Sequence, residues 1–376
     1  MSGDSFASRR RTARSSVPFH LLLLPSVLLV LLLFWQSHSS SSLDTFHTTR
    51  SEFQGIPNTE VTLARQKALQ GEDKDIIASN SKGNMQITNT QLLKGSMPLR
   101  IITFNIRYAT KTPVLGEQPW AVRGPKLTQQ LIFNTEGHDN SFICLQEVLH
   151  SQVKDVQARL GHSWSHIGRG RDEKPTDGEF SPVFYRSDIW DCVKHDVKWL
   201  SETPHKPSKG WDAVLNRIVT MGLFRHKETG LTVIVMSTHF DHIGVKAREN
   251  SAKLLIKFAR EWNQGSDSDD PTPSAVLIGG DFNSDPSDGA YKLMTAKGSG
   301  MSDIADLVPN KEHYGNYLTY TSFGEPGESP SRIDFLFIKE PRSAKVRTFG
   351  VLANSFDDNV RLSDHRAVIA DLSIPF

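Results

Sequence analysis

Four short apolar runs, each ending in amide, carboxylate or imidazole side chains, constrain this chain more than any other feature. Ile101-Ile102-Thr103-Phe104 ends in Asn105, and Phe142-Ile143-Cys144-Leu145 ends in Gln146-Glu147. Val233-Ile234-Val235-Met236 runs into Ser237-Thr238-His239, and Val276-Leu277-Ile278 into Gly279-Gly280-Asp281-Phe282-Asn283. Runs this short and this rich in Val and Ile read as buried strands. Parallel or neighbouring strands of this kind would gather their polar ends at one edge of the sheets. Two more clusters lie at the starts of strands. Ser331-Arg332-Ile333-Asp334 opens one apolar run, and Ser363-Asp364-His365 precedes the last.

Apolar runs bounded by turn residues give strands at Leu99–Ile106, Phe142–Gln146, Val183–Tyr185, Val193–Leu200, Ile218–Arg225, Leu231–His239, Ala275–Gly280, Ile333–Ile338, Lys345–Val351 and Ala367–Ile374. Helices are expected over Lys126–Thr135, Ser151–Leu160 and Val245–Trp262. The last carries Ala247, Ser251, Leu254, Leu255, Phe258 and Trp262 at helical spacing, a core-facing stripe. Many strands with few helices indicate an α/β fold of two packed sheets flanked by helices.

The N-terminal quarter has another texture. Arg9, Arg10, Arg11 and Arg14 stand in a basic tail, residues 1–16. Residues 17–35 are apolar except for His20 and Ser26, close to the roughly 20 residues needed to span a bilayer as a helix. Positive charge before the segment puts the tail in the cytosol and the rest across the membrane. The expectation is a single-pass, type II membrane protein with a lumenal or extracellular catalytic domain. The alternative is secretion after cleavage of a signal peptide. Residues 36–98, rich in Ser, Thr, Asn, Gln and Lys, lack the apolar content to offset ordering entropy and read as a stalk, with a short helix possible around Thr59–Leu69. Residues 99–376 form the folded domain.

The 43 basic and 42 acidic residues nearly balance, and beyond the basic tail the chain is slightly acidic. No broad basic footprint for long nucleic acid is present. Two cysteines, Cys144 in an apolar run and Cys192 in a mixed one, exclude a cysteine zinc site by number, and their spacing alone does not decide whether they are bridged.

A carboxylate at a strand end is ordinarily a solvated cap, and Gly-Gly-Asp is ordinarily a turn. Six such pieces in one order say more. Asn and several carboxylates offer hard oxygen ligands, suited to Mg²⁺ or Mn²⁺. Two histidines add groups that exchange protons near neutrality. A divalent ion, an activated water and imidazoles are what displacement at a phosphoester requires.

This succession resembles the endonuclease/exonuclease/phosphatase superfamily over Leu99–Phe376. The resemblance implies a four-layer α/β sandwich, two packed, mostly antiparallel sheets flanked by helices. It implies a Mg²⁺-dependent phosphoester hydrolase, acting on phosphodiesters in the manner of a 3′–5′ exonuclease or on a small diester. By motif position, Asn105, Glu147 and Asp364 resemble metal-binding residues, with Glu147 the principal ligand. Asp281 resembles the carboxylate that orients or deprotonates water, Asn283 a phosphate contact, Asp334 the partner of His365, and His239 the second active-site histidine. Other segments are similar to a microbial and fungal membrane-anchored subgroup: Trp120 with Arg123, Gly168–Asp172, Glu179–Arg186, Ser208–Asp212 and Thr238–His242. They make Arg123, Arg169, Arg171, Lys209, Trp211 and Asp212 substrate-binding candidates. Asp281–Pro286 also resembles the deadenylase and nocturnin branch. Ser284-Asp285-Pro286 and Ser331–Asp334 depart from the inositol-phosphatase pattern, which argues against that substrate.

The expected partners are a phosphoester substrate (short nucleic acid, nucleotide, or lipid or glycan phosphodiester) and the membrane, with no obligate protein partner. Two other readings stand beside this one. His239-Phe240-Asp241-His242 is reminiscent of a zinc metallo-β-lactamase-like hydrolase, yet Ser237 stands where that pattern wants a histidine. A catalytically dead, membrane-tethered binding module would be expected to have lost a metal carboxylate or active-site histidine, and all are present.

Overall fold

The computed structural model describes residues 95–264, 272–339 and 344–375. All fall within one unit, Asn89–Phe376. The tail, the apolar segment, the expected short helix and the stalk up to residue 94 lie outside the described residues, while residues 96–98 of the expected stalk belong to the first strand. Among the described residues, no helix is long and apolar enough to cross a membrane.

In chain order the elements are β1 (Ser96–Asn105), α1 (Trp120–Thr135), β2 (Ser141–Gln146), α2 (His150–Leu160), β3 (Trp164–Ile167), β4 (Val183–Arg186), β5 (Trp190–Trp199), β6 (Ile218–His226) and β7 (Thr232–His239). Then follow α3 (Val245–Asn263), β8 (Ala275–Asp281), α4 (Gly289–Thr295), β9 (Met301–Asp303), β10 (Tyr314–Gly315), β11 (Asp334–Lys339), β12 (Lys345–Val351) and β13 (Val368–Pro375). One sheet has the order β10-β12-β13-β1-β2-β4-β3, the other β5-β6-β7-β8-β11-β9. Most neighbours are antiparallel. β1 with β2, β7 with β8, and β10 with β12 are parallel.

Alternating side chains show why the key strands are apolar throughout. Leu99, Ile101, Phe142 and Cys144 of one sheet meet Val233, Val235, Leu277 and Leu336 of the other in a shared core. Their neighbours Ile102, Phe104, Ile143 and Leu145 point the other way, onto Leu127 and Leu131 of α1 and Val153 and Val156 of α2. Across the second sheet, Ile234, Met236 and Ile278 pack on Leu255, Phe258 and Ala259 of α3 and Met294 of α4. The result is four layers, helices–sheet–sheet–helices, with both strand faces buried. Gly279 lets the sheets approach closely: a Cβ there would stand 3.0 Å from those of Thr103 and Cys144.

Some boundaries differ from the sequence reading. α1 begins at Trp120, although Gly124-Pro125 reads as a breaker. The Trp120 ring lies over Gly124, where a Cβ would come within 2.8 Å of it, and its Nε1 donates to Asp155 at 2.8 Å. β1 begins at Ser96. Pro98 pairs with Ser373 of β13, where β2 has not yet begun and the missing N–H deprives no second neighbour. Cys144 and Cys192 are both free.

Candidate active site

The sheet register aligns the polar residues. His239 closes β7 opposite Asp281 at the end of parallel β8, and Asp281 faces Asp334, first residue of antiparallel β11. In the other sheet, Asn105 ends β1 beside Gln146, so Glu147 is the next residue out. β13 runs antiparallel to β1, which brings Asp364 and His365 to the same edge. The Ser363 hydroxyl donates to the Asn105 carbonyl at 2.7 Å and fixes that arrangement.

Asn105 bridges the sheets. Its Nδ2 donates to Glu147 Oε1 at 3.1 Å and Asp281 Oδ2 at 2.9 Å, while its Oδ1 accepts from Arg107 N at 3.0 Å. Glu147 Oε2 accepts from Tyr108 N at 3.3 Å and has Arg107 Nη1 at 3.8 Å. Asp281 Oδ1 accepts from Asn283 N at 2.9 Å. Asp281 Oδ2 also lies 3.4 Å from His239 Nε2 and 3.7 Å from His365 Nε2. His365 Nδ1 is held by Asp334 Oδ2 at 2.9 Å. Arg107, Glu147 and Asn283 have φ of 55°, 59° and 46°, a left-handed backbone that costs a non-glycine residue about 1–3 kcal/mol.

Burial alone would raise the Glu147 carboxyl, but the Arg107 charge and the Asn105 hydrogen bond outweigh it and hold it below the ordinary value. Burial and the Asp334 charge push Asp281 up to about 7. Asp364 is raised by burial, with the Glu147 charge adding and His365 opposing. Burial works against the charge on His365, yet Asp334 and Asp281 hold it well above the usual imidazole value. His239 is lowered well below that value by burial and the Arg217 charge. The two imidazoles are thus shifted in opposite directions, His365 toward its cationic form and His239 toward its neutral form.

The set suits a divalent cation. Glu147, Asp364 and Asp281 crowd like charges into one cleft, and Asp334 Oδ1 is buried with no partner among the described residues. The available donors are oxygens, which fit Mg²⁺ or Mn²⁺ better than a thiolate-seeking metal. Asp281, Asp334 and His365 are near enough to share an ion. However, Asp334 and His365 already bond each other, so Glu147 and Asp364, with Asn105 beside them, are the better seat.

Asn105, Glu147, His239, Asp281, Asn283, Asp334, Asp364 and His365 therefore meet at one edge. Of the six substrate-binding candidates, Arg171 alone lines the cleft. Arg123 is fully buried beneath it, donating to the carbonyls of Gln118, Ile106 and Leu362 and pairing with Glu117 at 3.3 Å. The Arg169 guanidinium donates to the carbonyls of Gly170, Asp172 and Glu173 and stacks on Trp199. Asp212 caps α3 by accepting from Ala247 N at 2.7 Å and Lys246 N at 3.2 Å. Lys209 and Trp211, in the same loop, do not line the cleft. The structure thus places Arg123, Arg169 and Asp212 in hydrogen bonds to backbone groups of this chain, and Lys209 and Trp211 outside the cavity lining.

The cleft adds Arg107, Tyr108, Glu179, Arg217, His242 and Tyr320, none of which the sequence reading had placed in the site. Glu179 pairs with Arg171 at 2.8 Å, and burial with the Glu147 charge pushes it up to about 6. Arg217 immediately precedes the buried strand β6, a position whose charge could have drawn attention. The whole cavity holds about 660 Å³.

A four-layer sandwich with carboxylates, amides and two differently charged imidazoles at one edge defines a class of phosphoester hydrolases dependent on divalent metal. The model of the endonuclease/exonuclease/phosphatase family matches residues 102–365, and the chain belongs to that family. No curated protein sequence matches it. Among solved structures, it is similar to a mannosyl-6-phosphatase of Bacteroides thetaiotaomicron, at 33% identity over 73% of this chain and 99% of that one, with a TM-score of 0.63. Another family protein of B. thetaiotaomicron is 32% identical over 74% of this chain and 98% of its own, with a TM-score of 0.64. The human nocturnin catalytic domain, at 19% identity over 75% of this chain and 97% of its own, has a TM-score of 0.55 and shares the fold. Membership in this family sets aside the zinc reading. Ser237, where that pattern needs a histidine, is buried and bonds the Leu145 carbonyl at 3.2 Å.

Proposed function

We propose that the protein is a Mg²⁺- or Mn²⁺-dependent hydrolase of small phosphorylated molecules. A terminal phosphate on a sugar or similar polyol is the preferred substrate, and a small phosphodiester or nucleic-acid end the second. The observation that carries this reading is that Arg107 and Arg171 line one cavity of about 660 Å³ together with the acidic cluster. That size suits a small ligand. A phosphate monoester carries about 1.5 to 2 negative charges at pH 7 and calls for such a concentration of cations. Similarity to a mannosyl-6-phosphatase supports the choice.

Glu147, Asp364 and Asn105 would hold the metal, which supplies charge neutralisation at the phosphoryl oxygens and a more acidic water. Asp281, fixed by Asn105 and the Asn283 N–H, takes the proton of the attacking water. Asn283 and His239 face the phosphoryl group. His365, aligned by Asp334, supplies the proton to the leaving oxygen.

The test is phosphate release by the full chain from hexose 6-phosphates, nucleotides, small diesters, single-stranded oligonucleotides and plasmid, with Mg²⁺ or Mn²⁺ and a Glu147→Gln control. Sugar phosphates should turn over fastest, and EDTA should abolish activity. Preferential plasmid nicking would refute the substrate class, and full activity in EDTA the metal. Residues 17–35 anchor this domain outside the cytosol, as their apolar run after an arginine cluster supports. Complete digestion of the domain by protease added to intact vesicles would overturn that placement.

A further inference from the structure

Arg217 is 4% exposed, and its guanidinium sits between two imidazoles of the cleft. Nη1 lies 3.0 Å from His239 Nδ1, and Nη2 lies 3.0 Å from His242 Nδ1. Nε faces Asp241 Oδ2 at 3.5 Å. Asp241 is itself fixed: Oδ1 accepts from Ile243 N and Gly244 N, and Oδ2 has Val214 N at 3.2 Å.

A guanidinium has donors and no acceptor. Both Nδ1 atoms must therefore offer lone pairs, and each neutral ring must carry its hydrogen on Nε2. For His239 a competitor exists, since Glu179 Oε2 lies 3.9 Å from the same Nδ1 and would favour a hydrogen there. Arg217 is nearer by almost 1 Å and decides. His239 Nε2–H then faces Asp281 Oδ2 at 3.4 Å. Asn283 Nδ2 also lies 3.0 Å from that nitrogen and has a second hydrogen besides the one it gives the Phe240 carbonyl at 3.0 Å; the charged guanidinium outcompetes this neutral amide, which must turn away from an Nε2–H. Burial and the Arg217 charge lower both imidazoles, which agrees with two neutral rings.

We propose that Arg217 is a positioning residue that locks His239 and His242 as Nε2–H tautomers, so that the cleft presents two neutral imidazole donors. His242, exposed at the cleft rim, is thereby a substrate-binding residue that donates to an anionic or hydroxyl oxygen of the substrate beside Arg171. This substrate role rests on the phosphoester reading. The tautomers do not.

The experiment is nitrogen NMR of the full chain labelled at histidine, without metal or substrate, with His239→Asn and His242→Asn to assign the two rings. Both should show an unprotonated Nδ1 and a protonated Nε2. Arg217→Met should release at least one ring to a mixture of tautomers, and Arg217→Lys, with a single ammonium that cannot face both rings, should retain one. Nδ1–H on either assigned ring of the native protein overturns the proposal even if no Arg217 variant folds. So do unchanged tautomers in a folded Arg217→Met protein. With p-nitrophenyl phosphate as probe, Arg217→Met should lower kcat and Arg217→Lys restore part of it. His242→Ala should raise KM about 10- to 100-fold, the loss expected for one hydrogen bond to a charged group. An Arg217→Met protein with raised KM, native kcat and native tautomers would show that Arg217 binds phosphate itself. A chain inactive on every ester would refute the hydrolase reading and leave the tautomer result standing.

Discussion

Replacing Asp334 by Asn should separate the charge of the Asp334–His365 pair from its shape. The carboxylate is fully buried, His365 is 4% exposed, and 2.9 Å separates Oδ2 from Nδ1. A hydrogen bond to a charged group contributes about 1.5–3 kcal/mol, and each pKa unit corresponds to about 1.4 kcal/mol. Loss of the charge therefore returns His365 toward or below the ordinary imidazole range. If His365 protonates the leaving oxygen, kcat should fall about 10²- to 10⁴-fold while KM changes little. The alkaline limb of the kcat profile should move to lower pH. Stability should change with a definite sign. The folded pKa of His365 is raised, so the pair's contribution is full below the unfolded value, near 6.5, and is lost as pH rises through the folded value. The advantage of the native protein over Asp334→Asn should be largest at mildly acidic pH and shrink above neutrality. Phosphate release between pH 5 and 9, with thermal unfolding over the same range, measures both. A variant with native kcat and an unmoved alkaline limb would refute the proton-donor role of His365.

Glu147→Gln keeps the shape of the carboxylate and removes its charge, so turnover should fall by orders of magnitude with the circular dichroism spectrum unchanged, and calorimetric titration with Mn²⁺ should show weakened binding. Asp212→Ala removes the cap of α3 and should cost about 0.5–2 kcal/mol in denaturant unfolding while leaving kcat and KM intact; a large KM change would return Asp212 to the substrate. Asp281 has a folded value near 7 against an ordinary 3.8, so the folded state holds its proton more tightly. Its contribution in the metal-free protein is present below about 3.8 and lost as pH rises through about 7, and thermal unfolding should show that decline in the native protein and not in Asp281→Asn.

What the sequence revealed follows from burial. β1, β2, β7 and β8 are packed on both faces, so their runs are uninterrupted and their polar ends are conspicuous. β3 at a sheet edge has half-exposed Ser165 and His166, and β9 and β10 are three and two residues long; none leaves a recognisable run. α4, with seven residues, is too short to show a period. The eight strand-end residues of the site were legible because chemistry there interrupts packing. Arg107, Arg217 and His242 were not, because a basic residue next to a strand looks the same whether it faces solvent or a cleft. The bonds of Arg169 to loop carbonyls and of Asp212 to the first N–H groups of α3 were not legible either, because hydrogen bonds to backbone have no sequence pattern.

The arginines near the site show how little of the chain's positive charge is available to a substrate. Arg123 is consumed by loop carbonyls and Glu117, and Arg332 by Asp303 at 2.6 Å. Arg248 reaches Asp288 at 3.1 Å and the Asp241 carbonyl at 3.3 Å. These three tie the loop after β1 to α1, the loop after β7 to α3, and the loop before β11 to β9. Arg107, Arg171 and Arg217 face the cleft, but each is matched to Glu147, Glu179 or the imidazole pair inside it. Duplex binding draws its affinity from a row of cations along successive phosphates. The cleft cations here line one cavity together with the carboxylates, which supports the proposed preference for a small substrate over a long one.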